Sequence, residues 1–162
     1  MDTEEFTEFA SVVTPRLFRS ALLLCGDWQL AEDLVQTSLA KLYVAWGKVR
    51  KADSREAYAH GTLTKTFLSH QRVRRNSERP TAAMTEGLDQ GSDPDLRLDL
   101  FAAMGSLDQA DRAVVVLRYW EDRSVADTAR ELGLSETAVR TRSSRAMAKL
   151  RETLAPSKEA TA

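Results

Sequence analysis

Apolar residues along the first half of the chain recur at intervals of three and four, the period of helices that bury one face. Asp2 and Glu5 form a D-x-x-E start, and Phe6, Phe9 and Val13 follow at helical spacing. Pro15 is expected to break that run and to open a second helix at its first position. Leu17, Ala21 and Leu24 give this helix its stripe, Gly26 ends it and Asp27 caps the next. In the third helix Leu30, Leu34, Leu42 and Trp46 mark the buried side, with Val35, Leu39 and Tyr43 alongside, and Gly47 closes it. Ser54 caps a fourth helix, from Arg55 to Arg75, whose apolar positions are Ala57, Leu63, Phe67 and Leu68 and which runs into the basic stretch Arg72 to Arg79. These elements predict one helical bundle over residues 1–78.

From Asn76 the composition shifts to Ser, Thr, Gly, Pro and acidic residues with no periodic apolar face, and residues 79–95 read as a flexible linker. Asp93-Pro94 has the form of an N-cap followed by proline at the first helical position. Leu96, Leu100, Phe101 and Met104 begin a second, smaller bundle over residues 96–156; Asp108 caps its next helix, with Ala113, Val114, Leu117 and Trp120 inward. Ser124-x-x-Asp127 is a capping box before Val125, Ala129 and Leu132. Gly133 follows, Ser135 caps again, and another helix runs from Glu136. Ala129, Gly133 and Val139 have the spacing of a helix-turn-helix. A small residue lets the helices cross closely, glycine takes the left-handed turn, and valine plugs the angle between them. The fold class expected is all-α: two small bundles joined by a flexible linker, the second containing a helix-turn-helix. No strand-period segment and no internal repeat is found, and the tail, 157–162, is small and polar.

Charge sharpens the picture. The 162 residues sum to −1, yet residues 65–79 and 123–151 each carry +4, both on expected helices. Two basic islands in an acidic chain point to a polyanionic partner. On the final helix Val139, Ser143, Ala146 and Leu150 share the inward side. Thr137, Thr141, Ser144 and Arg145 share the outer side, flanked by Arg140 and Arg142. Hydrogen-bonding side chains near a helix N-terminus, with guanidinium groups beside them, suit base edges in a major groove and phosphates at its margins. Arg145 is the expected base reader; Arg142 is expected to reach phosphate or buttress the turn.

Other chemistries find little support. Cys25 is the lone cysteine, within an apolar run, so no disulfide framework is expected and a reducing cytoplasm fits. His60 and His70 stand ten apart, unlike the i, i+4 pair of a helical zinc site, and neither a P-loop nor a G-x-S-x-G motif occurs. No enzyme activity, catalytic residue, metal or cofactor is expected. The acidic N-terminus does not resemble a signal peptide, and no apolar run approaches the ~20 residues of a membrane span.

With these residues in view, the chain resembles the extracytoplasmic-function (ECF) sigma factors, the smallest group of the sigma-70 family of RNA polymerase sigma factors. The stretch from Leu107 to Glu152, LDQADRAVVVLRYWEDRSVADTARELGLSETAVRTRSSRAMAKLRE, is similar to the family's domain four, which binds the upstream promoter element. GDWQLAEDLVQTSLAKLYVAW is similar to the helix of domain two that docks on RNA polymerase. The resemblance implies that Asp33 and Gln36 face the polymerase, with Leu34 inside and Trp46 in the core. It also implies that the helix from Arg55 to Arg75 melts and reads the downstream element, with Lys65 toward the melted strand and Arg72, Arg74 and Arg75 on the DNA backbone. His60-Gly61 stands where many relatives carry paired arginines, and Lys65 where many carry asparagine. Promoter-directed initiation is thus implied, with core RNA polymerase and promoter DNA as partners and room for an anti-sigma factor. A dimeric helix-turn-helix regulator with an N-terminal sensing domain is the alternative; the Asp33–Gln36 stretch and the basic island at 65–79 speak against it.

Overall fold

The computed structural model describes the backbone of residues 3–77 and 94–154, with the side chains of 3–74 and 99–154. Asp2, Asp93, nearly all of the expected linker and the tail 157–162 lie outside the described residues, as do the side chains of Arg75 and Leu96. Regular structure among the described residues is entirely helical, and the chain divides into two compact units, Met1–Ala83 and Met84–Ala162.

The first unit is built from α1 (Thr3–Cys25), α2 (Trp28–Val44), a single turn α3 (Trp46–Val49) and α4 (Arg55–Ser77). The long helices α1, α2 and α4 pack on one another pairwise. Their buried stripes are Val13, Leu17, Ala21 and Leu24 from α1, Ala31, Leu34, Val35 and Leu42 from α2, and Ala59, Leu63 and Phe67 from α4. The α4 stripe starts at Ala59 rather than at Ala57, which is exposed. Gly26 takes a positive φ of 69° and Asp27 accepts a hydrogen bond from the Leu30 amide, so α1 stops and α2 starts where the sequence predicts.

Two expectations for this unit are corrected. Pro15 does not break α1; it lies inside one continuous helix. Proline removes the bond to the carbonyl four residues back, here that of Ser11. Both residues are exposed, so the unserved carbonyl lies on the solvent side while the buried stripe runs on unbroken. Gly47 does not close α2 either. The helix ends at Val44, Ala45 turns the backbone, and Gly47 sits within α3. That turn seats Trp46 against Phe6 and Phe9, ring centroids 5.3 Å from each, with the Arg55 guanidinium 5.4 Å from its ring. Tyr43 remains half exposed against the edge of Phe6.

The second unit comprises α5 (Pro94–Gly105), α6 (Gln109–Val115) running into a π turn (Val116–Trp120), α7 (Val125–Leu132) and α8 (Glu136–Leu154). Pro94 opens α5, and Asp108 caps α6 by accepting from the Asp111 amide at 2.8 Å. α8 packs against α5, α6 and α7. Val114 and Leu117 are fully buried, but Trp120, expected inward, is half exposed. The cause is the π turn. Its wider i→i+5 bond, from the Glu121 amide to the Val116 carbonyl at 2.9 Å, shifts the helical register and rotates Trp120 outward. Arg118 then donates to the Arg123 carbonyl and Arg123 pairs with Glu131, fixing the loop that leads into α7. None of the described helices is long and apolar enough to cross a membrane.

Candidate nucleic-acid interface

The helix-turn-helix is assembled by its caps. Ser124 Oγ accepts from the Asp127 amide at 2.9 Å, starting α7. Gly133 ends it at φ 67°, ψ 34°, the left-handed conformation that costs glycine nothing. Ser135 Oγ accepts from the Ala138 amide at 3.0 Å, starting α8. Val114, Ala129 and Val139 form the buried cluster between the helices, with Val125, Leu132 and Leu134 packed around it. The close crossing, the glycine turn and the valine plug all stand where the spacing places them.

α8 presents the two faces that the helical period requires. Val139, Ser143, Ala146 and Leu150 are buried. Thr137, Arg140, Thr141, Ser144 and Arg145 are exposed, and Arg142 is partly buried. Arg140 stands 3.5 Å from the exposed Glu136. Arg142 and Arg145 converge instead on one residue that the sequence did not single out, Asp111 in the first turn of α6. Arg145 donates through Nε to Oδ2 at 3.2 Å and through Nη2 to Oδ1 at 2.9 Å. Arg142 donates through Nη1 to the same Oδ1 at 2.8 Å. The Asp111 side chain is only 7% exposed, against 56% for Arg145.

Burial alone would push the Asp111 carboxyl up. Its hydrogen bonds with Arg145 and Arg142, and then their positive charges, outweigh that and hold it below the usual carboxylate range. The Arg145 guanidinium is held above its ordinary value chiefly by the hydrogen bond to Asp111. In the sequence Asp111 is merely the residue three beyond a capping aspartate. Its partners lie 31 and 34 positions away, and no local pattern announces a contact at that range.

The first unit carries the other residues of interest. Asp33 and Gln36 are exposed on α2, while Leu34 and Val35 between them are buried. Lys65 and Arg72, seven apart on α4 and so on one face, are both exposed; Arg74 is partly buried. Arg75 lies on α4 with its side chain outside the described ones. His60 turns inward, buried, with Nδ1 3.4 Å from Ser20 Oγ of α1. It therefore belongs to the α1–α4 packing. Among the described residues no group of three or more His, Cys, Asp or Glu side chains could hold a metal ion.

Comparison with known proteins gives two family matches, Sigma-70 region 2 over residues 11–77 and Sigma-70, region 4 over residues 103–152. The chain is 34% identical over 155 residues to the RNA polymerase sigma-E factor of Streptomyces coelicolor, spanning 93% of this chain and 86% of that protein. It is 28% identical over 138 residues to the ECF RNA polymerase sigma factor SigM of Mycobacterium tuberculosis, spanning 83% and 69%. Among solved structures, the sigma factor RpoE of Bartonella quintana, in complex with the anti-sigma factor NepR, matches with a TM-score of 0.77 at 24% identity, covering 96% of this chain and 100% of that one. That last likeness is one of fold.

Proposed function

The chain belongs to the sigma-70 family, in its extracytoplasmic-function group of RNA polymerase sigma factors, and on that premise we propose how its two units divide the work. As a sigma factor it binds core RNA polymerase and promoter DNA and directs transcription initiation. Residues 1–78 act as domain two, docking on the polymerase and handling the downstream element; 79–95 act as linker; 96–156 act as domain four on the upstream element; 157–162 are a tail. The observation that carries this reading is α8: a helix capped at its start by Ser135, with a buried apolar side and an outer side of Thr137, Arg140, Thr141, Ser144 and Arg145.

Asp33 and Gln36, exposed beside the buried Leu34 and Val35, present a polar edge of α2 to the polymerase. Along α4, Lys65 faces the melted strand, and Arg72, Arg74 and Arg75 contact the DNA backbone. On α8, Arg145 reads a base, Arg140 lies at the groove margin, and Arg142 reaches phosphate or buttresses the turn. The chain supplies no catalytic group; RNA synthesis belongs to the polymerase it recruits, in the cytoplasm where that enzyme works. An anti-sigma factor is a further partner, by analogy with the complex in which the similarly folded RpoE was solved. The dimeric regulator is not favoured, because the region-2 match occupies the residues a sensing domain would need.

Run-off transcription with core polymerase over a genomic promoter library tests this reading. The chain should raise transcription from a discrete set of starts, and Asp33→Arg should weaken core binding with helicity unchanged. No stimulation by the parent chain would overturn the function; undiminished core binding by Asp33→Arg would overturn the docking assignment.

A further inference from the structure

Arginine carries five N–H donors in a rigid planar fork, and that fork has more than one edge. In this chain Asp111 occupies one edge of Arg145: Nε donates to Oδ2 at 3.2 Å and Nη2 to Oδ1 at 2.9 Å. The two protons of Nη1 and the second proton of Nη2 lie outside this grip. One proton from each Nη points along the axis of the side chain, as the parallel pair that fits O6 and N7 of guanine. The grip therefore leaves intact the edge a base reader uses, and it settles where that edge points.

The anchor is itself fixed. The Asp111 carboxylate is nearly buried, its Oδ1 also accepts from Arg142 Nη1 at 2.8 Å, and its backbone amide is held by Asp108 Oδ1 at 2.8 Å. Asp111 stands on α6, not on the reading helix, and α6 is locked to α8 through Val114 and Val139. The tip of a long, exposed, otherwise mobile side chain is thus oriented from outside its own helix.

We propose that Asp111 is a specificity-determining positioning residue, which grips the inner edge of the Arg145 guanidinium and aims its outer edge at a single guanine of the upstream promoter element. This rests on the reading of α8 as the base-contacting helix. It adds a residue outside the helix-turn-helix to the set that decides sequence preference. It also assigns the two arginines on one carboxylate different duties: Arg142 holds the anchor in place, and Arg145 is what the anchor aims.

The test uses the full chain bound to core polymerase and a library of duplexes randomised over the upstream element. The parent selects its preferred duplex, and affinities are then measured for every single-base variant of it. The quantity read is the discrimination ratio at each position, preferred over substituted base. A partly unfolded preparation lowers both affinities alike and leaves that ratio readable. Arg145→Ala should flatten the ratio at one position. Asp111→Asn, nearly isosteric, and Asp111→Ala should each reduce it at that same position by roughly tenfold, the worth of one good bidentate base contact. Affinity for random duplex should hold or rise in both Asp111 variants, since a negative charge beside the phosphates has gone. If Arg145→Ala flattens one position while both Asp111 variants leave it intact, the aiming role is overturned and the base-reading assignment stands. If the Asp111 variants lower every affinity alike with ratios unchanged, Asp111 merely holds α6 to α8 and the proposal falls. If Arg145→Ala flattens no position, the base-reading assignment fails and takes the proposal with it.

Discussion

Asp111 gives the second unit a response to acid. Burial opposes its charge, but two arginine hydrogen bonds and their charges prevail, so the folded carboxyl titrates below its unfolded value. The folded state therefore binds the ionised form preferentially. The stabilisation is fully present above the unfolded value of about 4 and is lost as pH falls through the lower, folded one. Asp111→Asn removes this contribution. At pH 7 the variant should be less stable than the parent, and the gap should close as pH drops below about 4. Thermal unfolding of the two chains followed by circular dichroism from pH 7 to pH 3 checks this; a constant gap would mean that the ion pairs contribute nothing to folding. Much of α8 was legible one residue at a time, because a period of 3.6 sorts Val139 and Ala146 from Thr141 and Ser144 without reference to any other helix. What α8 touches was not. The wheel places Arg145 on the outer face, and it is there, but the carboxylate that engages it arrives from α6 through tertiary packing.

Among the elements, caps were the legible features and interruptions were not. Asp27, Ser54, Asp108, Ser124 and Ser135 each accept a hydrogen bond from an amide three residues on, a contact local enough to be read from spacing. Pro15, Gly47 and the π turn at Val116–Trp120 were settled by packing instead. Proline carries a strong helix-breaking propensity, but α1 buries a stripe on both sides of it, from Val13 to Leu24, and that burial decides. Removing the interior proline by Pro15→Ala should stabilise the first unit by about 2 kcal/mol. That is ~3 kcal/mol of interior-proline penalty less up to ~1 kcal/mol for the freer unfolded chain. Urea unfolding followed at the helical circular-dichroism band measures it, and an unchanged midpoint would show that α1 accommodates the ring at no cost.

For the whole molecule, charge placement matters more than charge sum. In the proposed reading, a chain of net charge −1 approaches DNA through its basic islands, residues 65–79 and 123–151. Each phosphate neutralised on a single strand adds about 0.7 to the slope of log affinity against log salt. Replacing Arg72, Arg74 and Arg75 together by glutamine should therefore lower that slope for open-complex formation by about 2. Permanganate footprinting across a salt series reads the change, and an unaltered slope would remove α4 from the DNA path. The division into two units was legible because periodic apolar faces lapse after α4 and resume in α5. The division also has an optical consequence. Trp28 and Trp46 belong to the first unit and Trp120 to the second, where the π turn leaves its ring half exposed. With Trp28 and Trp46 replaced by phenylalanine, the remaining indole, four residues ahead of the cap of α7, is open to soluble quenchers. Its emission then follows the second unit alone, by light, within the intact chain.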